Sequence, residues 1–173
     1  MVEIWDVYDN NRNLTGKTIE RGKKLARGEF HLVVHIWIIN SKGQVLIQKR
    51  ASTVVGWSGM WATTGGSALS GENSKQAFMR ELKEELGLQA DPSLSEKVYS
   101  YTQGNHFTDI WLVKQDFDCN QCTLQKEEVS DVKWVYPSEM KKLLDEKKFV
   151  PYNYIDYIEQ ILHDQTEDIF NIK

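Results

Sequence analysis

The chain has 173 residues, 40% hydrophobic and 27% charged, with six Trp, seven Tyr and six Phe, which is enough to bury the core of one compact domain spanning 1–173. Its formal net charge of −4 excludes the broad basic surface that neutralises duplex nucleic acid, so any phosphate site must be local. The longest apolar runs, 32–39 and 110–113, are far shorter than the ~20 residues that cross a bilayer. The opening residues lack the basic and then apolar order of a secretory signal, so a cytoplasmic protein without membrane contact is expected.

In chain order, residues 4–8 alternate, 9–13 supply turn residues and 15–21 return. This predicts an N-terminal hairpin extension over 1–28, an ornament on the core and a candidate homodimer contact. Residues 30–39 form an apolar, β-branched run of the kind buried on both faces of a sheet. A turn at Ser41-Lys42-Gly43 leads into a second strand over 44–50, with apolar residues inward and Gln48 and Arg50 on the other side. A loop through Trp57-Ser58-Gly59, a short strand over 60–64 and a glycine loop over 65–71 follow.

The period then changes. Met79, Leu82 and Leu86 recur at helical spacing over 74–86, and Gly87 stands where a helix end favours positive φ. Residues 97–101 and 107–113 read as paired strands around Gly104-Asn105, and 129–135 as a further strand. Helices over 138–144 and 152–162 finish the chain, the first introduced by Pro137 with Ser138 as N-cap. Cys119 and Cys122 form one C-x-x-C with no second pair, which reads as two reduced thiols in a turn, since zinc would need two further ligands. Strands interleaved with helices predict an α/β fold with a mixed sheet between helices.

The chemistry concentrates in residues 66–88. Glu81, Glu84 and Glu85 stand at i, i+3 and i+4, sharing one face of the helix. Clustered carboxylates repel one another and call for compensation. Hard cations such as Mg²⁺ or Mn²⁺ suit such oxygen donors and commonly bridge to phosphates. A solvated helix balanced by Lys75, Arg80 and Lys83 is the competing account, and the glutamates alone do not decide between them.

The wider spacing does. Gly66, five residues, Glu72, seven residues and then Arg80-Glu81-Leu82-Lys83-Glu84-Glu85-Leu86-Gly87-Leu88 resembles the Nudix box, G-x5-E-x7-R-E-U-x-E-E-x-G-U with U aliphatic, at every defined position. With seven fixed residues, a chance match is on the order of 10⁻⁷. The resemblance implies a Nudix fold, MutT-like, and hydrolysis of a diphosphate bond by water attack on phosphorus, the substrate being a nucleoside diphosphate derivative or other diphosphate. It also implies that Glu81, Glu84, Glu85 and the Gly65 carbonyl hold Mg²⁺ or Mn²⁺, with Gly65-Gly66 letting the backbone approach. Glu72 pairs with Arg80, and Glu81 is the first choice to orient or deprotonate the water. A further glutamate outside the box, Glu127 or Glu128, is the second candidate base or ligand.

A second resemblance, to type 1 isopentenyl-diphosphate isomerase, rests on Phe30-His31-Leu32, on residues 37–50 and on Trp57-Ser58-Gly59-Met60-Trp61. That family uses a Cys soon after the Trp matched by Trp61 and a Glu where this chain has Phe107; both are absent, while the Nudix box is complete. Isomerase-like architecture with hydrolase chemistry is therefore expected. An inactive nucleotide sensor is the remaining alternative, disfavoured because no box glutamate is lost. His31, Arg50, Lys49, Trp57, Trp61 and Phe107 are second-tier substrate contacts, each with an ordinary structural role as its rival. The leaving group stays open.

Overall fold

The structure is a computed structural model that describes residues 2–171, with side chains through 164; the ends of the expected 1–173 span lie outside the described residues. The strands are β1 (Ile4–Tyr8), β2 (Leu14–Glu20), β3 (His31–Ile39), β4 (Val45–Arg50), β5 (Trp61–Ala62), β6 (Thr64–Ser67), β7 (Ser95–Gln103), β8 (His106–Lys114) and β9 (Val129–Val135). The helices are α1 (Ser74–Leu86), α2 (Pro137–Asp145) and α3 (Ile155–Asn171). This is the expected α/β class with a mixed sheet.

β3 organises the seven-stranded sheet. It runs parallel to β8 over its whole length, His31 opposite His106 through Ile39 opposite Lys114, and antiparallel to β6. It meets β4 only at Ile39 and Val45, and β4 then carries β5 and β9 on its two sides. The parallel pair requires a long crossover, which α1 supplies. Side chains alternate along a strand, so Leu32, Val34, Ile36 and Ile38 face one core with Phe78, Leu82 and Leu86 of α1. Trp37 and Ile39 face a second core with Met140 of α2 and Ile158 and Leu162 of α3. The continuous apolar run of β3 thus reflects helices on both sides.

Several expectations need correction. Gly65 and Gly66 are not in a loop: both lie in β6, opposite His35 and Val34. Phe78, fully buried, takes the core position expected of Met79, which is only half-buried. Ser138 is not the cap of α2. Pro137 occupies the first helical position, which suits a residue lacking an N–H, and Tyr136 is the N-cap with no side-chain hydrogen bond. Gln48 does not sit in solvent opposite the apolar side of β4; it is buried.

The N-terminal hairpin is built into the body rather than added to it. Val7 is buried, Tyr8 and Phe30 exchange backbone hydrogen bonds, and the Asp6 carboxylate accepts from the Ser70 hydroxyl at 2.6 Å and the Gly71 N–H at 2.8 Å. At the turn, Arg12 adopts φ 66° and donates to the fully buried Asp109 at 2.5 Å. Ser100 also donates to Asp109, at 2.5 Å, and the Lys97 ammonium lies 3.6 Å away. Burial would raise the Asp109 pKa, but Arg12 and the hydroxyls of Ser100 and Ser74 outweigh it and hold the carboxyl below its ordinary range.

Two results follow from this tether. Arg12→Ala should lower the unfolding free energy by about 2–3 kcal/mol in urea titrations, less than the ~3–5 kcal/mol of a wholly stranded buried charge, because Ser100 and Lys97 remain. The pKa is depressed on folding, so the stabilisation is complete above the unfolded value near ~3.9 and is lost as pH falls through the lower folded value. Asp109→Asn should flatten that acid limb; an unaltered limb would contradict the ion pair's role.

Candidate active site

The box helix starts where its sequence can supply missing hydrogen bonds. Asn73 accepts from the Gln76 N–H at 3.0 Å, and the Gln76 side chain accepts from the Asn73 N–H at 2.9 Å, a reciprocal cap worth about 1 kcal/mol. Gly87 ends the helix at φ 69°. Between these ends, Arg80 is clasped from several sides. Its Nε and Nη2 donate to Glu72 at 2.8 and 3.1 Å, and its Nη2 also donates to the Ser67 carbonyl at 2.9 Å. Its Nη1 reaches Glu81 at 3.0 Å and Glu84 at 2.8 Å. Arg80 therefore ties the segment before α1, the end of β6 and the acidic face of the helix together.

The three glutamates occupy different environments. Glu84 has a 51% exposed side chain, while Glu85 is 3% exposed. Glu85 Oε2 accepts from the Gln48 amide at 2.8 Å and from the Gly65 N–H at 3.3 Å, and the Gln48 carbonyl oxygen accepts from the Thr64 hydroxyl at 2.9 Å. The Thr64 bond orients the Gln48 amide so that its NH₂ faces Glu85. Burial pushes the Glu85 carboxyl up to about 8, with the Glu81 charge adding to it. Burial likewise raises Glu81 to about 7 against the opposing pull of Arg80. Among the described residues the donors to Glu85, the Gln48 amide and the Gly65 N–H, are neutral.

Gly65 and Gly66 serve close approach. A Cβ on Gly66 would fall on the Glu81 carboxylate, and one on Gly65 would strike the Val34 carbonyl oxygen. The missing Cβ of Gly66 leaves a cradle beside Glu81, and the carboxylates of Glu81, Glu84 and Glu85 and the Gly65 carbonyl are oxygen donors of the kind a hard divalent cation takes. As the side chains stand, no three His, Cys, Asp or Glu among the described residues converge into a cation cage. Arg80 occupies oxygens of both Glu81 and Glu84, so a cation must compete with its guanidinium.

A cleft of about 220 Å³ lies over this face, lined by Gly65, Gly66, Arg80, Glu81, Glu84 and Glu128, with Arg50, Glu3 and Arg21 at its sides. Of the paired loop candidates, Glu128 faces the cleft; Glu127 is exposed, and its backbone carbonyl accepts from Thr53. Arg50 lines both this cleft and a neighbouring cavity that Trp57 also lines.

The other second-tier residues are elsewhere. Phe107 is a core residue, 4.8 Å from the Phe30 ring. His31 stacks on Trp5 at 4.2 Å, with its buried Nδ1 unpartnered. Trp61 lies under the Lys133 ammonium at 4.8 Å, and Lys49 pairs with Trp61 in register. Cys119 and Cys122 are free thiols in a short turn, and burial raises both, Cys122 to about 11. Sequence reasoning missed Gln48 and Thr64, and also Glu3 and Arg21, which the N-terminal hairpin brings to the cleft. The signal for Gln48 was faint: a polar side chain directly after the apolar Val45-Leu46-Ile47 run, but followed by Lys49 and Arg50.

Comparisons with known proteins bear on the family and the fold. The NUDIX domain family matches residues 29–157. An uncharacterized Nudix hydrolase of Listeria monocytogenes is 45% identical over 158 residues, covering 91% of this chain and 94% of its own length. An isopentenyl-diphosphate Delta-isomerase of Pectobacterium atrosepticum is 37% identical over 83 residues, 47% of this chain and 46% of its own. Among solved structures, DR0079 from Deinococcus radiodurans superposes with a TM-score of 0.74 at 20% identity, covering 92% of this chain and 99% of that one. The NUDIX domain of Shewanella oneidensis NrtR, complexed with ADP ribose, gives 0.55 at 20% identity over 65% of this chain and 77% of that one. The isomerase likeness covers less than half of the chain, whereas the family match spans the seven-stranded sheet and the box helix together, and the chain belongs to the Nudix hydrolases.

Proposed function

We propose that the chain hydrolyses the diphosphate bond of a nucleoside diphosphate derivative, using Mg²⁺ or Mn²⁺ held by Glu81, Glu84, Glu85 and the Gly65 carbonyl. The observation that carries this reading is Glu85, buried one helical turn from Glu81 with neutral donors among the described residues, while Glu81, Glu84 and Glu128 share the wall of the adjoining cleft with Arg21, Arg50 and Arg80. Two like charges in such a place are unfavourable unless a cation joins them. The family generally works with a divalent metal, and the NrtR domain's ADP ribose is a nucleoside diphosphate derivative.

A bound divalent cation would neutralise phosphate oxygens and acidify the attacking water. The chain's own groups do the rest. Arg50 and Arg21 at the sides of the cleft neutralise the remaining phosphate charge. Glu81, at the Gly66 cradle, takes the proton of the water, and Glu128 across the cleft is the second acceptor. Arg80 and Glu72 fix the segment before α1 and keep the acidic face in register, and Gln48 holds Glu85 in one orientation. No covalent intermediate is required.

Incubation of the chain with nucleoside diphosphate derivatives and Mg²⁺ or Mn²⁺ should release two phosphate-containing products, and chelation should stop it. Glu81→Gln should lower kcat by about 10²–10⁴-fold, and a Glu85→Gln variant that kept full activity would remove the mechanistic basis. Gly66→Ala should fold as well as the parent, because only the flexible end of Glu81 must move, yet lose Mn²⁺ affinity in electron paramagnetic resonance titrations. Gly65→Ala should instead lower the melting temperature, since its Cβ meets backbone. Gln48→Leu keeps side-chain volume while freeing Glu85, and should cost about 10–100-fold in Mn²⁺ affinity; unchanged affinity would assign Gln48 to packing alone.

A further inference from the structure

The cavity that shares Arg50 with the acidic cleft has no part in the chemistry above. It has a volume of about 280 Å³, and aromatic rings supply half of its lining residues: His35 on β3, Trp57 in the loop after β4, Tyr101 on β7, His106 on β8 and Tyr152 just before α3. Neighbours fix several of these rings. His35 Nδ1 lies 2.7 Å from the Tyr154 hydroxyl, and the His35 ring meets Tyr152 edge-on at 5.0 Å. Tyr101 rests on Tyr154 at 5.3 Å. Trp57, 55% exposed, stands at the rim.

Two further features narrow what the cavity accepts. The exposed side-chain amides of Gln103 and Asn153 line the same space, each offering a donor and an acceptor. Among the described residues Arg50 is the one arginine in its lining and no carboxylate joins it, so a cationic group would be repelled. An isoprenoid or alkyl chain would match the rings but leave the amides unpaired on burial. A sugar could lay its C–H faces on the rings, but it carries hydroxyls around its whole rim, more than Gln103, Asn153 and Arg50 can pair. A neutral planar ring with a hydrogen-bonding edge satisfies both, and Arg50 stands where such a ring would join a diphosphate in the cleft.

We propose that this cavity holds the nucleobase of the substrate, stacked among Trp57, Tyr101 and Tyr152 with its edge read by Gln103 and Asn153. This rests on the diphosphate reading of the adjoining cleft. Specificity among nucleoside diphosphate derivatives is then set at Trp57, Gln103 and Asn153, which come from segments outside the Nudix box.

The test separates the cavity from the cleft by using ligands without phosphate. Nitrogen-15 spectra of the whole chain are followed during addition of adenosine, guanosine, cytidine or uridine, with isopentenol and glucose as controls. At least one nucleoside should shift the Trp57 indole and the Gln103 and Asn153 side-chain amide signals along a saturating curve. Trp57→Ala and Gln103→Ala should each weaken that binding by about fivefold or more, and raise KM for the matching nucleoside diphosphate while kcat stays within about twofold. Silence toward every nucleoside, or shifts caused instead by isopentenol or glucose, would overturn the proposal, even if diphosphate hydrolysis is observed. Nucleoside binding by a chain inert toward every diphosphate would uphold the cavity and retract the hydrolytic reading of the cleft.

Discussion

Glu81 and Glu85 stand one turn apart along the margin of the buried face of α1, which Phe78, Leu82 and Leu86 also occupy, and this brings two carboxylates into a place that water screens poorly. Phe78, Leu82 and Leu86 are fully buried between the sheet and α1, and each contributes about 1.5–3 kcal/mol by leaving water. That packing fixes the rotation of α1, and the rotation fixes the carboxylates. Glu85 starts from the buried side of the helix and meets the Gln48 amide rather than solvent. The apolar and acidic faces of the helix are therefore one device: burial holds the charges where a cation is favoured.

The surroundings of α1 follow from the same constraint. Glu85 needs donors, and β4 and β6 supply them through Gln48 and the Gly65 N–H. β6 can approach this closely only without side chains at 65 and 66, because a Cβ there meets Val34 or Glu81. Arg80 counters Glu81 and Glu84 without reaching Glu85, leaving the innermost carboxylate with neutral partners. The N-terminal hairpin closes one side of the cleft with Glu3 and Arg21, an ion pair at 2.6 Å. It is held by Arg12 on Asp109 and by Asp6 on the segment after β6.

Much of this architecture was legible because periodicity reports burial. The unbroken apolar run of β3 signalled cover on both faces, and the change to helical spacing before Gly87 located α1. What escaped was what depends on a partner far away in sequence. Gly65 and Gly66 read as a loop from composition, yet pairing with β3 makes them strand. Gln48 read as outward from strand alternation, yet Glu85 lies across from it and makes burial favourable. The hairpin's alternation showed that one face would be covered but not by what, so Arg12 and Asp109 could not be joined. Within the site, Glu127 and Glu128 were indistinguishable by type, and only the backbone geometry before β9 turns Glu128 toward the cleft. The ring-lined cavity draws His35, Tyr101 and Tyr152 from three distant segments, so no local pattern marks it.

The account stands on a divalent cation joining the buried carboxylates. Anomalous diffraction from crystals of the chain soaked in Mn²⁺ tests this directly. The account predicts a manganese peak coordinated by Glu85, Glu81 and the Gly65 carbonyl, with Arg80 Nη1 displaced from Glu81. A map with no peak there, with Arg80 still clasping both Glu81 and Glu84, would contradict it.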